Sequence, residues 1–167
     1  MNSKNMSEEK SVDGFVFVDK PEGVSSFLLA AKVKRIFREK KSGHTGTLDP
    51  MATGVMVVAL SGATRFIELL PDKNKAYKAA FLLGKETDTL DITGSIVSGN
   101  EVTATKADVE KALVPFRGET EQLPPMYSAL KKDGVRLYEL ARKGESIERE
   151  KRKISISELT LLSYDER

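Results

Sequence analysis

Cysteine is absent from the 167 residues, and histidine occurs only once, at His44. A chain without cysteine has no disulfide, no thiolate nucleophile and no thiolate metal site, and this composition fits a reducing compartment. A zinc site would need more ligands than one histidine supplies. These absences exclude cysteine chemistry and leave no zinc site of the usual kind.

Long apolar runs are also lacking. No stretch approaches the roughly 18 to 20 consecutive apolar residues of a membrane span. The polar start, Met1 to Lys10, contains no apolar run that could serve as a signal peptide. We therefore expect a soluble, cytoplasmic protein with no membrane partner.

An excess of charge of one sign is missing too, since the formal net charge is +2 and the pI is near 8.7. This is below the pI of about 9 that marks a nucleic-acid-binding domain by charge alone. Any nucleic-acid affinity must come from local patches. The helix predicted over residues 26–39 offers one, because Lys32, Lys34, Arg35 and Arg38 face outwards, and Lys40 and Lys41 extend it. An ordinary solvated helix face is an equally good interpretation.

The length predicts one folded domain, residues 12–167, preceded by a disordered lead, residues 1–11, rich in Ser, Asn, Lys and Glu.

The helix predicted over residues 26–39 begins at a cap formed by Ser25 or Ser26. It is expected to bury Phe27, Ala30, Ala31, Val33, Ile36 and Phe37. Further helices are predicted over residues 63–70, 106–116 and 135–142. Strands are predicted over residues 15–18, 55–60, 76–83, which starts near Tyr77, and 152–162, while Leu123–Met126 must be extended before its prolines. Residues 85–94 are expected to form a polar loop.

Strands and helices therefore mix without regular βαβ alternation, and several strand pairs have short connections. This order predicts an α+β domain with a mixed, largely antiparallel sheet flanked by helices. The motifs of the common phosphate-binding and serine-esterase folds are missing.

Residues 41–54 contain Gly43, Gly46, Gly54 and Pro50, a density that predicts a shaped loop and no regular element. The loop also carries Asp49 and the only histidine, His44. A carboxylate on such a loop can act as a nucleophile or a general base. Judged by itself, an Asp-Pro pair is more often a turn device than an active site.

The full string from Gly43 to Gly54, GHTGTLDPMATG, resembles the signature of the TruB family of tRNA pseudouridine synthases. The resemblance continues through VDKPEGVSS at residues 18–26, KAY at 75–77, TDTLD at 87–91 and PMYSALK at 125–131. It therefore covers the chain from about Phe15 to the end.

The resemblance implies conversion of uridine 55 in the T arm of tRNA into pseudouridine, with no cofactor or metal. It makes Asp49 the catalytic carboxylate, whether nucleophile or base. By the same resemblance Tyr77 stacks on the extruded base and His44 contacts the flipped nucleotide. From the residues alone, Tyr77 as a core tyrosine and His44 as a loop-stabilising hydrogen bonder remain the alternatives.

The family pattern departs at one point. TruB-like catalytic domains continue into a strand with a Lys-Gly-Thr-Tyr-Ile-Arg-type motif, and usually into a C-terminal RNA-binding domain, and this sequence contains neither. We therefore expect a truncated catalytic domain with its C-terminal strands missing. We predict the T-arm stem-loop of tRNA as the partner and no obligate protein partner.

Two other functions remain open. One is an RNA-binding module that holds the T arm without modifying it. The other is a Mg²⁺-dependent phosphotransferase that uses Asp49, Asp88 and Asp91. Loss of activity on chelation would favour the phosphotransferase, and RNA binding without an isomerised base would favour the RNA-binding module.

Four further residues have expected roles around the site. Lys20 and Pro21 are expected to shape the loop beneath it, and Arg65 and Lys131 are candidate phosphate contacts.

Overall fold

The computed structural model describes residues 11–71, 74–126, 128, 130–132, 134–145 and 147–165. The chain divides into two compact units, Met1–Tyr77 and Lys78–Arg167. Residues 1–10, which make up most of the expected disordered lead, lie outside the described residues. So do Tyr127 and Ala129 of the PMYSALK motif.

A three-stranded antiparallel sheet organises the first unit. Strand β1 is Gly14–Lys20, β2 is Ser42–His44 and β3 is Gly54–Leu60. The sheet order is β1-β3-β2, with Val16 opposite Val58 and His44 also opposite Val58 on the other side. The central strand is the apolar run predicted over residues 55–60, which confirms that prediction.

Helix α1, Ser26–Ile36, covers one face of this sheet. The Ser25 side chain caps it by accepting a hydrogen bond from the Leu28 backbone N–H at 3.2 Å. The helix ends where Arg38 adopts a left-handed φ of 56°. The core between helix and sheet contains Leu29, Ala30, Val33, Met56, Val58 and Leu60.

The predicted buried face of α1 was wrong at both ends of the helix. Ala30 and Val33 are buried as expected, but Phe27 is 79% exposed and Ile36 is 75% exposed, and Phe37 is exposed as well. Residues 27–31 are apolar all the way round, so periodicity alone did not fix the orientation. The structure turns Leu29 and Ser26 inwards instead, because Ser26 hydrogen-bonds to a neighbouring loop.

The prediction that residues 41–54 contain no regular element was also wrong. Ser42–His44 forms β2 because the edge of β3 offers it unpaired backbone groups. Gly43 suits this place, since a Cβ there would lie 2.7 Å from Cδ1 of Ile67. The remainder of the segment, residues 45–53, lies outside helices and strands, as predicted.

The helix predicted over residues 63–70 is present as a 3₁₀ helix, Ser61–Leu69. The strand predicted over residues 76–83 is not formed. An extended apolar segment becomes a strand only when its backbone groups find a partner, and no described residue pairs with this one. Phe81 and Leu82 are accordingly 85% and 73% exposed.

The second unit begins with a hairpin of β4, Lys85–Thr87, and β5, Ile96–Gly99, where the sequence predicted only a polar loop. Gly84 permits the hairpin to close: its φ is +75°, and a Cβ there would lie 2.5 Å from the Asn100 carbonyl oxygen. Only a glycine fits such an approach.

The rest of this unit alternates short helices and strands. Helix α2 is Lys106–Leu113, opened by a capping box between Thr105 and Asp108 and followed by a 3₁₀ turn, Val114–Phe116. Strands β6, Gly118–Gln122, and β9, Arg152–Ile156, pair in antiparallel fashion, so the tail strand stops at Ile156 where its partner begins. Between them lie β7, Lys131–Lys132, β8, Val135–Arg136, and α3, Leu137–Arg142.

The predictions of helices over residues 106–116 and 135–142 are therefore confirmed, the second with its first two residues in β8. Every strand pairing among the described residues is antiparallel. Together these features confirm an α+β fold with antiparallel strands. None of the helices in the described part of the chain has the length and apolarity that a bilayer crossing requires.

Candidate active site

The loop that joins β2 to β3, residues 45–53, is anchored at both ends in the sheet. Beyond His44, the Thr45 N–H still donates to the Val57 carbonyl at 3.1 Å. At the other end Gly54, with φ +129°, lies opposite Lys20 of β1. The sheet therefore sets where the loop leaves and where it returns.

Ser26 fixes the loop on the N-terminal side of Asp49. Its hydroxyl donates to the Leu48 carbonyl at 2.9 Å and accepts from the Leu48 N–H, also at 2.9 Å. Ser26 is 3% exposed, so water does not compete for these two bonds. One serine on the first turn of α1 thus satisfies both backbone groups of the residue before Asp49.

Lys20 fixes the loop on the other side. Its side chain is fully buried, and Nζ donates to the carbonyls of Pro21, Val24 and Pro50 at 3.1, 2.7 and 3.2 Å. An ammonium group has three protons and needs this full set of acceptors when it leaves water. The Pro50 carbonyl also accepts from the Gly23 N–H at 2.7 Å. The expectation that Lys20 shapes this loop is confirmed.

Asp49 lies between these two anchors with its side chain exposed. Its own carbonyl accepts from the Ala52 N–H at 3.0 Å, which closes a turn after the acid. Among the described residues no hydrogen bond or ion pair engages the carboxylate. The fold therefore holds the Asp49 backbone and leaves its side chain available to a ligand.

His44 is half-buried at the end of β2. Its Nδ1 lies 2.8 Å from the Gly46 carbonyl oxygen. Because a carbonyl only accepts, Nδ1 carries the proton of this hydrogen bond, and Nε2 is the nitrogen left to face other groups. The contact ties the ring to Gly46, at the start of the loop that presents Asp49.

Tyr77 ends the first unit in irregular backbone and is 66% exposed. It is therefore not the core strand tyrosine that the residues alone favoured. The hydrogen bonds of the described residues do not link Tyr77 to His44 or Asp49. The structure thus places His44 at the end of β2, next to the loop that carries Asp49, and leaves Tyr77 as a separate exposed ring.

Asp88 and Asp91 of the second unit accept hydrogen bonds from residues of their own turn. Asp88 accepts from the Ser95 N–H at 2.9 Å, and Asp91 accepts from the Thr93 hydroxyl and N–H and from the Thr89 hydroxyl. These bonds, led by the one from the Thr93 hydroxyl, hold the pKa of Asp91 below its ordinary value of 3.8. No group of three or more His, Cys, Asp or Glu side chains among the described residues could hold a metal ion. This arrangement gives no support to the metal-dependent phosphotransferase.

Ser26 is the residue of this site that sequence reasoning missed. The tandem Ser25-Ser26 was interpreted as a choice between two helix caps, whereas the structure uses Ser25 for the cap and Ser26 for the loop. A second hydroxyl beside a helix cap was the only local signal. Its partner, Leu48, is 22 residues away, which no local pattern reveals.

Comparison with known proteins identifies the family. A model of the TruB family pseudouridylate synthases (N-terminal domain) matches residues 34–167. The chain therefore belongs to the TruB family.

Among its relatives is a tRNA pseudouridine synthase B of Pseudomonas fluorescens, 46% identical over 93% of this chain and 51% of that protein. Another, of the same description, from Yersinia pestis is 45% identical over 93% of this chain and 48% of that protein. The chain thus spans about half the length of these relatives.

The fold is similar to that of a chain in the crystal structure of a Cbf5-Nop10-Gar1 complex. The TM-score is 0.57 with 25% sequence identity, over 91% of this chain and 36% of that one. This likeness agrees with the α+β fold expected of a pseudouridine synthase.

Proposed function

We propose that the protein converts a uridine of tRNA into pseudouridine, specifically uridine 55 in the T arm, with Asp49 as the catalytic carboxylate. One observation carries the proposal. The backbone on both sides of Asp49 is held by hydrogen bonds to the buried side chains of Ser26 and Lys20, while among the described residues no hydrogen bond or ion pair engages the exposed carboxylate. The relatives named tRNA pseudouridine synthase B supply the substrate class.

The reaction breaks the N1–C1′ bond of uridine and forms a C5–C1′ bond, while N1 gains a proton and C5 loses one to water. Atoms and charge balance without an oxidant or a metal. An ionised carboxylate at a fixed position can attack the sugar or the base, or remove the C5 proton. Each of these three roles needs Asp49 exposed to the substrate and rigidly placed.

The target uridine must leave its stack before the carboxylate can reach it. Extrusion of a nucleotide costs a few kcal/mol, which contacts in the pocket must offset. His44, oriented by Gly46, contacts the extruded nucleotide from the end of β2, beside the loop that carries Asp49. Tyr77 offers an exposed ring on which the base stacks, an interaction worth about 1 to 3 kcal/mol.

The test is tritium release from a T-arm stem-loop labelled at uridine C5, with Asp49→Asn beside the parent protein. We expect the rate to fall about a thousandfold or more, because the amide is neither a nucleophile nor a base. Asp49→Asn should leave the fold intact, since an exposed, unengaged side chain contributes little to folding. RNA affinity should therefore stay within about threefold of the parent value. Chelation with EDTA should leave the parent rate unchanged.

The matched control is Glu22→Gln, which removes one exposed negative charge from the neighbouring loop. It should keep the parent rate. Tritium release by Asp49→Asn at the parent rate would exclude Asp49 as the catalytic group. RNA binding by the parent with no release at all would instead support a non-catalytic RNA-binding module.

A further inference from the structure

A dense group of cations lies directly before β2, the strand that leads into the candidate active-site loop. Six of the ten residues of the segment Lys32–Lys41 are lysine or arginine, although the whole chain has a net charge of only +2. We call this segment the basic segment. Its exposed cations include Lys32, Arg35, Lys40 and Lys41, and Lys34 is half-buried.

Five of these six cations, all except Arg38, have no ion-pair partner among the described residues. Glu39, the single acid of the segment, is directed elsewhere: it accepts from the hydroxyls of Ser11 and Ser61 and from the Val12 N–H. In the part of the chain that the structure describes, no carboxylate forms an ion pair with Lys32, Lys34, Arg35, Lys40 or Lys41. These five cations therefore give the segment a positive surface, with Lys32, Arg35, Lys40 and Lys41 exposed to solvent.

The backbone beneath these cations is held in place. The Lys41 carbonyl accepts from the Ser61 N–H at 2.9 Å, and the Ser42 hydroxyl donates to the Ala30 carbonyl at 3.1 Å. Ala30 and Val33 pack α1 into the core of the first unit. The charges are therefore mounted on the same rigid unit that holds Asp49.

The basic segment is also close to the candidate site along the chain. Lys41 precedes β2 directly, and at about 3.3 Å per residue of strand its Cα is roughly 10 Å from that of His44. Helix α1, which carries the first cations of the segment, begins with Ser26, and Ser26 hydrogen-bonds to Leu48 of the candidate site. A nucleic acid with one nucleotide at Asp49 would therefore run its neighbouring phosphates within reach of this surface.

We propose that the basic segment binds the RNA phosphate backbone flanking the nucleotide that enters the Asp49 loop. This inference rests on the proposed function for the identity of the ligand. Lysine and arginine side chains that lack acidic partners attract phosphates and release condensed counterions. Such contacts position the RNA without reading its sequence, so the segment sets affinity and register and leaves the chemistry to Asp49.

The test measures how RNA affinity depends on salt. The variant replaces four exposed cations of the basic segment, as Lys32→Gln, Arg35→Gln, Lys40→Gln and Lys41→Gln. The control removes the same charge from the second unit, as Lys106→Gln, Lys111→Gln, Lys143→Gln and Lys153→Gln. Binding of a T-arm stem-loop is followed by fluorescence anisotropy between about 50 and 200 mM salt, the range over which phosphate contacts dominate.

For the variant we expect affinity to fall about tenfold or more at low salt and the slope of log K against log salt to flatten by at least about 1. The control should keep the parent slope. Tritium release at saturating RNA should remain near the parent rate, with KM raised, because these residues do not touch the reacting base.

Three results would overturn the proposal. An unchanged salt slope with a lowered Tm would show that the cations only complement the C-terminus of α1. An equal loss in variant and control would show an effect of net charge alone. Loss of binding to phosphatidylserine vesicles, with RNA binding intact, would assign the segment and the neighbouring exposed Phe27 and Ile36 to a membrane surface.

Failure of this inference is separable from failure of the proposed function. If Asp49→Asn abolishes tritium release while the basic-segment variant keeps the parent salt slope, only the inference falls. If neither the parent nor any variant releases tritium, but the salt slope of the basic-segment variant flattens as expected, the RNA-binding role of the segment is supported and the catalytic proposal is rejected.

Discussion

At the scale of single residues, the candidate site depends on buried polar side chains that hydrogen-bond to the backbone of the loop. Lys20 is the clearest case, since a fully buried ammonium satisfies carbonyls from two different loops. A hydrophobic residue of similar length would fill the space but remove the Lys20 donor from the Val24 carbonyl and leave the Pro50 carbonyl with only the Gly23 N–H. The cost of an unsatisfied buried acceptor exceeds the gain of one made bond.

We therefore expect Lys20→Met to lower the free energy of unfolding by about 2 to 3 kcal/mol, measured by urea denaturation. Under the proposed function, loss of the Pro50 contact should also lower the rate of tritium release. The control is Lys32→Met, an exposed lysine on α1, which should change stability by less than about 0.5 kcal/mol. Equal stability of the two variants would show that the Lys20 bonds contribute nothing net.

At the scale of elements, helix α1 is both a core element and the support of the Asp49 loop. Its apolar face packs Leu29, Ala30 and Val33 on the sheet. Its first turn holds Leu48 through Ser26, while Ser25 serves only the helix itself. Two adjacent serines thus separate the stability of the helix from the position of the loop.

This division predicts different results for Ser25→Ala and Ser26→Ala. Both should reduce stability by about 1 to 2 kcal/mol, the first by loss of a cap and the second by loss of buried hydrogen bonds. Only Ser26→Ala should lower kcat markedly, because it frees the residue before Asp49. Chemical denaturation and single-turnover tritium release measure the two effects, and a matching fall in kcat for Ser25→Ala would contradict the assignment.

At the scale of the whole molecule, three hydrogen-bonded carboxylates connect local turns to acid stability. The Ser61 hydroxyl holds the pKa of Glu39 below its ordinary 4.5, and the Thr105 hydroxyl does the same for Asp108, ordinarily 3.8. Asp91 is lowered chiefly by the Thr93 hydroxyl. Each group binds protons less readily in the folded state than in the unfolded state.

Stability from these groups is therefore fully present above their unfolded pKa values, near 4, and is lost as pH falls through the lower folded values. We expect the urea midpoint to hold from neutral pH to about 4.5 and then to decline. The triple variant Glu39→Gln, Asp91→Asn and Asp108→Asn should start from a lower midpoint and decline less. A steeper acid decline in the variant would contradict this account.

Local pattern predicted much of the fold, because caps, breakers and apolar runs act between near neighbours. The strand over residues 55–60, the helix over 106–116 and the loop that carries Asp49 were all found where expected. The side-chain orientation of α1 and the pairing of β2 were not, since both depend on what the rest of the unit offers. The segment of residues 76–83 failed as a strand for the same reason.

By itself the sequence determined the family, the central strand over residues 55–60 and the position of the loop that carries Asp49. The tertiary structure decided how that loop is held. Ser26 and Leu48 are 22 residues apart, and Lys20 and Pro50 are 30 apart. Hydrogen bonds over such separations form only when the sheet and α1 bring the partners together, and no local periodicity encodes them.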